Sequence, residues 1–243
     1  MSQWLVGINA VEGALLNDPN NVLQLWVSRE RKDRRVDKLL ALADKHAIKL
    51  NRPPRAEFEK RFARQVHQGA AAEYRAPDLL NEKDLPDLIK SNVLLLVLDH
   101  IQDSRNFGAC LRSAAAAGVD GVVFPKNRSA GIGPLARKTA AGAVERLRLI
   151  EVTNLASTLK TLQQNNVWIV GADGNSNKTV YELDLLGSIA IVMGNEGEGL
   201  KRLTMKHCDF LAKIPIVSGV ESLNVSVATG IFLFEAQRQR GAS

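Results

Sequence analysis

The chain has 243 residues, 45% apolar and 24% charged, an ordinary composition for a folded protein with room for two modest domains or one large one. Its 32 Lys and Arg against 26 Asp and Glu leave a net charge of +6, which favours a polyanionic partner, while aromatics at 5% argue against a surface of base-stacking platforms. The two cysteines, Cys110 and Cys208, lack His partners at metal-ligand spacing, and no segment approaches the ~18 consecutive apolar residues of a membrane span; zinc, a disulfide framework and a membrane protein are not expected, and a reducing, cytoplasmic setting is.

The N-terminal third reads as short alternating elements. A helix is predicted over Ala10–Leu16, a strand over Leu23–Ser28, a helix over Val36–His46, a strand over Ile48–Leu50, a helix over Ala56–Phe62 and a strand over Ala70–Tyr74, together a compact α/β unit spanning residues 1–75. From Ser28 to Arg64 there are 13 Lys and Arg against 6 Asp and Glu, whereas Gln65 to Lys90 has 3 against 5, so the basic footprint is local. Such side chains neutralise phosphates and give salt-sensitive affinity. The interleaving of Glu30, Asp33 and Asp37 with Arg31, Lys32, Arg34, Arg35 and Lys38 equally suits a solvated face with its charge paired locally. Residues 76–90, with two prolines and an acidic excess, suit a linker passing into a short helix.

The rest, residues 91–243, alternates strand and helix. Val93–Leu98 is an uninterrupted apolar run, as expected of a parallel strand covered on both faces. A helix over Asn106–Ala117, a strand over Val119–Phe124, a helix over Leu155–Asn165, strands over Trp168–Ala172, Ile189–Met193 and Phe210–Ile216, and a helix from Ser222 to about Arg240 follow. This pattern predicts a parallel, Rossmann-like α/β sheet.

Ligands of such sheets sit at the C-terminal strand ends. The dinucleotide fingerprint is missing: Asp99 to Gly108 has no G-x-G-x-x-G, and Gly194 to Gly199 has the spacing G-x-x-G-x-G, which suits a loop whose backbone approaches something closely. The loops after Met193 and Ile216 each precede a helix and expose backbone groups able to grip a cofactor. Arg112 lies in an otherwise small and apolar helix, so it needs exposure or an anionic partner, for which Glu196 is a candidate. Asn106, Ser222 and Asn224 suit helix caps, and Ile214, Ile216 and Leu223 suit core positions in any α/β protein. Cys110, among small helix residues, reads as a buried structural thiol.

Three stretches in order, Asp99–Arg112, Met193–Leu200 and Ile214–Gly230, resemble the SPOUT RNA methyltransferases, in the TrmH-like branch that methylates ribose 2′-hydroxyls. The resemblance implies a deep trefoil knot in the C-terminal part, a homodimer, an N-terminal ribosomal-protein-like substrate-binding domain, and S-adenosylmethionine held bent between the knot loops. It implies Met193, Gly194, Ile214, Ile216 and Leu223 as cofactor contacts, and Arg112, Asn106, Glu196, Ser222 and Asn224 as the catalytic set, Arg112 contacting RNA phosphate and helping to deprotonate the hydroxyl. The stretch from Lys126 to Leu147 is similar to bacterial enzymes acting on a guanosine near the peptidyl-transferase region of large-subunit ribosomal RNA, with Lys126, Arg128, Arg137 and Lys138 available to phosphates or to solvent. A transfer-RNA ribose methyltransferase, a non-catalytic RNA-binding protein and, at the level of the fold, a nicotinamide-dependent oxidoreductase disfavoured by the missing fingerprint are the alternatives. The final helix is apolar over more than one stripe, from Val225 through Ile231 to Phe234, which suits burial against its own fold or against another subunit.

Overall fold

The computed structural model describes residues 2–63, 67–75, 79–89, 91–144 and 146–241, and the chain divides into two compact units, Met1–Asp78 and Leu79–Ser243. In the first, strands β1 (Ser2–Val6), β2 (Val22–Val27), β3 (Lys49–Asn51) and β4 (Ala70–Arg75) alternate with helices α1 (Ile8–Asn17), α2 (Arg34–Lys45) and α3 (Arg55–Phe62). The sheet order is β1-β4-β2-β3, with β4 antiparallel to β1 and β2, and β3 parallel to β2. One core joins Ile8, Leu15, Leu25, Leu39 and Tyr74, and a smaller one joins Phe58, Phe62 and Ala71.

Helix α2 begins where it does because the Asp33 carboxylate accepts the amides of Arg35 and Val36 while also holding Arg31 at 2.7 Å. Part of the basic run is thus paired locally, and Lys38 reaches Glu12. Strand β1 was not predicted, because Trp4, Leu5 and Val6 are too short an apolar run to signal an edge strand. The Arg61 guanidinium covers Trp4 and Trp26 at 4.8 and 4.6 Å from their ring centroids, so the two indoles carry a cation in place of an exposed stacking face.

The second unit is a six-stranded sheet of β5 (Leu94–Leu98), β6 (Gly121–Pro125), β7 (Leu149–Val152), β8 (Trp168–Ala172), β9 (Ile189–Met193) and β10 (Phe210–Ala212), in the order β10-β8-β9-β5-β6-β7 with every pairing parallel. Its helices are α4 (Leu85–Leu88), α5 (Ser104–Ala116), α6 (Pro134–Ala140), α7 (Leu155–Gln164), α8 (Arg202–Lys206) and α9 (Val225–Gly241). The apolar run of β5 serves both faces. Leu94, Leu96 and Leu98 pack with Phe107, Leu111 and Phe232, while Leu95 and Val97 pack with Leu155, Leu159 and Leu162. Each such buried side chain contributes about 1.5–3 kcal/mol relative to exposure.

The residues read as a linker are, from Leu79 on, an edge of this unit; residues 76–78 and 90 lie outside the described residues. Leu80 exchanges backbone hydrogen bonds with Leu149 and Glu151, and Leu85 and Leu88 are buried. Their apolar side chains find a place on the sheet despite the prolines around them. Strand β10 is shorter than the predicted Phe210–Ile216, since Pro215 has no N–H to donate and Lys213 turns away to pair with Lys178 and Thr179. Helices α6 and α8 and strand β7 were not predicted; all are short.

Helix α9 is pinned at its far end. The Arg240 guanidinium donates to the carbonyls of Asn92 (2.7 Å) and Gly187 (2.5 Å), and Gln239 bonds Leu183 and Leu185. Helices α5 and α6 lie so close that a Cβ on Gly108 would fall 2.4 Å from the Ala136 carbonyl oxygen and 2.8 Å from Thr139 Cβ. Gly108→Ala is therefore expected to cost about 1–3 kcal/mol, seen as a lower urea midpoint without a change in slope.

Candidate active site

The site forms where the parallel strands end. The chain runs outward from β5 through β6 to β7, then crosses to build β8, β9 and β10 on the other side, so β5 and β9 flank the point where strand order reverses. Asp99, next after β5, is fully buried there. Its carboxylate accepts the Lys201 amide at 2.7 Å and lies 2.5 Å from His100 Nδ1, while its own amide donates to the Met193 carbonyl at 2.8 Å. Both ends of the loop 194–200 are thus tied to the end of β5.

Within that loop Asn195 and Gly199 exchange backbone hydrogen bonds at 3.0 and 2.8 Å, and the Asn195 side chain donates to the His100 carbonyl at 3.2 Å. A Cβ on Gly194 would stand 2.3 Å from the Gly199 carbonyl carbon, so what the glycine backbone approaches closely is its own loop. Gly199, at φ +65°, takes the left-handed turn that closes it.

This loop, the ends of β8 and β10 and the segment before α9 enclose a cavity of about 180 Å³. Met193, Gly194, Ile214, Ile216 and Leu223 all line it, together with Ala212 and Phe232. Asp173, Gly174, Lys213 and Glu221 line it as well and were not singled out from the sequence. For Asp173 and Gly174 a signal existed: they directly follow a predicted parallel strand, at its ligand-binding end.

Three of the five expected catalytic residues meet beside this cavity. Asn224 Nδ2 donates to Glu196 Oε1 at 2.7 Å and to Asn106 Oδ1 at 3.0 Å, and the Val225 amide also donates to Glu196 Oε1 at 3.3 Å. Asn224 Oδ1 accepts the Ser226 amide and hydroxyl, so Asn224 caps α9 and grips Glu196 with the same side chain. Asn106 is not a cap. Asp103 takes that role, accepting the amides of Arg105 and Asn106, and leaves the Asn106 side chain for Asn224. Ser222 lines the cavity rim, two residues before the capping position.

A second cavity of about 190 Å³, lined by Ile101, Gln102, Asp103, Asn106, Asn195, Glu196 and Val225, shares Asn195, Glu196 and Val225 with the first. Arg112 borders neither. It is exposed, and no ion pair joins it to Glu196 among the described residues. Six residues along a helix amount to about 240° of rotation, so Arg112 and Asn106 point to different sides of α5. Lys126 and Arg128 are exposed, but Arg137 is 9% exposed and belongs to the interior, unlike the phosphate contact considered for it. Cys110 sits 3.3 Å from Thr229 Oγ1, and burial pushes its thiol up to about 11, leaving it unreactive at neutral pH. Among the described residues no group of His, Cys, Asp and Glu is arranged to hold a metal, and no helix is long and apolar enough to cross a membrane.

A parallel α/β sheet with an apolar cleft at its strand ends, opening beside a cavity lined by amides and two carboxylates, Asp103 and Glu196, suits a nucleoside-type ligand and a polar second reactant. Residues 93–234 match the SpoU rRNA methylase family, and residues 4–80 match the RNA 2′-O ribose methyltransferase substrate-binding family. The chain belongs to the SpoU rRNA methylase family. It is 47% identical over 245 residues to the 23S rRNA (guanosine-2′-O-)-methyltransferase RlmB of Pseudomonas aeruginosa, covering 99% of this chain and 98% of that protein. It is 48% identical to the protein of the same name from Xylella fastidiosa, over 98% and 97% of the two chains. The fold is shared with the SpoU methyltransferase AviRb from Streptomyces viridochromogenes, solved in complex with AdoMet, at a TM-score of 0.65 and 20% identity over 100% of this chain and 92% of that one.

The doubly used Asn224 generates a pH test. Asn224→Asp keeps an acceptor for the α9 cap but sets a second carboxylate against Glu196, which raises the pKa of the pair in the folded state. The resulting instability is present at pH 7 and is relieved as pH falls through that raised pKa. Urea unfolding should therefore show a smaller deficit at pH 5 than at pH 7. Asn224→Ala, which only loses the cap and tethers, should show a deficit of about 1 kcal/mol at both.

Proposed function

We propose that the chain transfers the methyl group of S-adenosylmethionine to the ribose 2′-hydroxyl of a guanosine in 23S ribosomal RNA, in the cytoplasm. Full-length relatives at 47% and 48% identity carry that activity in their names. The observation that carries the reading is the shared wall of Glu196, Asn195 and Val225 between two cavities, one apolar and one polar. The residues present fit the methyl donor: Ile214, Ile216 and Leu223 offer apolar faces to a purine, and Gly194 brings main chain to the cavity wall. The donor brings a sulfonium-bound methyl that is already strongly electrophilic.

A ribose hydroxyl is a weak nucleophile, so the chain must hold it in line and help its proton leave. Asn106, Glu196 and Asn224, locked to one another, form the orienting wall in this reading, with Ser222 at the mouth. Arg112 borders neither cavity of its own chain, and we assign it to RNA phosphate at a site completed by a second copy. Permanently charged, it acts on the proton only with help from that phosphate. Residues 1–75 serve as the RNA-binding domain, where the Lys and Arg excess around α2 and α3 makes affinity fall with salt, and residues 91–243 as the catalytic domain. The knot belongs to the same reading, supported by the way the loops after β9 and β10 border one cavity.

A homodimer is supported by α9, on which Val227 and Phe234 are 51% and 52% exposed, with half-buried Ile231 between them at helical spacing. Light scattering at micromolar concentration should give the mass of two chains, and Phe234→Arg should give one. Activity is tested with labelled S-adenosylmethionine and unmodified large-subunit ribosomal RNA or bulk transfer RNA, followed by nucleoside mass spectrometry. The expected product is 2′-O-methylguanosine in ribosomal RNA, reduced at least about a hundredfold by Arg112→Ala. Label in transfer RNA alone changes the substrate, and label in neither overturns the reading.

A further inference from the structure

The cavity assigned to the methyl donor carries an imbalance of charge. Asp173, Glu196 and Glu221 line it against one cation, Lys213. One lysine balances at most one of the three, so the lining keeps an excess of two carboxylates. Asp173 is half-buried and fixed in place: its amide donates to the Ala212 carbonyl at 2.9 Å, and its Oδ1 accepts the Asn175 amide at 3.1 Å. Glu221 is exposed at the rim, next to Ser222. Glu196 is engaged by Asn224 and the Val225 amide, whereas Asp173 and Glu221 take no part in that network.

We infer that Asp173 and Glu221 make this cavity discriminate in favour of the charged methyl donor and against its neutral demethylated product. The inference rests on the cofactor reading above. In the reaction the methyl–sulfur bond breaks and a methyl–oxygen bond forms, the sulfur keeps the bonding electron pair, and the hydroxyl proton passes to solvent. A donor with one sulfonium, one ammonium and one carboxylate, net +1, therefore becomes a thioether of net charge zero. Carboxylates bordering a partly desolvated cleft act on that difference of one unit, Asp173 from a held position and Glu221 from the rim, because water screens them less there than on an open surface. Spent product is held less tightly than fresh donor, which limits product inhibition.

The test is calorimetric titration of the full chain with S-adenosylmethionine, with S-adenosylhomocysteine, and with sinefungin, in which a protonated amine replaces the sulfonium. Asp173→Asn, which retains the acceptor for Asn175, Glu221→Gln and the double variant are compared with the wild type. Each single substitution should lower the preference for the two cationic ligands over S-adenosylhomocysteine by about two- to fivefold, and the double variant by up to about tenfold. The wild-type preference should shrink in high salt, and Asp173→Glu should retain it. Equal loss for all three ligands would assign the carboxylates to the nucleoside or the α-ammonium common to them and overturn the inference, as would no change with either residue. If the wild type binds none of the three, the cofactor reading fails, and this inference with it.

Discussion

Much of the catalytic end hangs on one buried carboxylate. A charge removed from water is costly unless hydrogen bonds replace its hydration, and Asp99 meets that requirement with the Lys201 amide and the His100 ring. Because Asp99 sits where β5 ends, satisfying it fixes where the chain returns after the loop 194–200. That loop holds Glu196, Glu196 holds Asn224, and Asn224 caps α9. The geometry between the two cavities is thus passed along from the middle of the sheet by hydrogen bonds of known direction.

Helix α9 closes this chain of dependence. At its N-terminus it is held by Asn224, and at its C-terminus by Arg240, whose guanidinium is pulled below its ordinary range by burial among backbone carbonyls. Between these ends Phe232 and Leu233 enter the core with Phe107 and Leu111 of α5, and Thr229 meets Cys110. Helix α5 is pressed in turn against α6 through Gly108. A helix fixed at both ends and packed along one side presents Val227 and Phe234 as a defined outward face, which is the kind of surface a second subunit can use.

The parts of the fold legible in the sequence are those buried on both faces. Strands β8 and β9 were predicted at their observed limits because unbroken apolar runs end where the sheet does. Strands β1 and β7 and helices α6 and α8 are short and lie at edges or between loops, where tertiary pairing decides and periodicity is silent. In the site, Ile214, Ile216 and Leu223 look like core residues, and residue type alone could not assign them to a cavity; the resemblance did. Of the two readings of Arg112, exposure holds in place of a pairing with Glu196, because helix phase turns it away from Asn106, and Asn106 is not a cap because the helix already begins at Ser104, with Asp103 accepting the amides of Arg105 and Asn106.

The charge distribution then makes physical sense. A net charge of +6 suits a polyanion, yet the cavity at the strand ends is bordered by three carboxylates and one lysine. A uniformly basic surface would attract RNA but would also repel a cationic methyl donor. Separating the signs avoids the conflict: the basic excess lies between Ser28 and Arg64 in the first unit, and the carboxylates surround the cleft in the second. At physiological salt, fields fade over about 8 Å, so the donor responds mainly to the charges that line its own cleft. Local sign, more than total charge, is therefore what lets one chain attract an anionic acceptor and a cationic donor together.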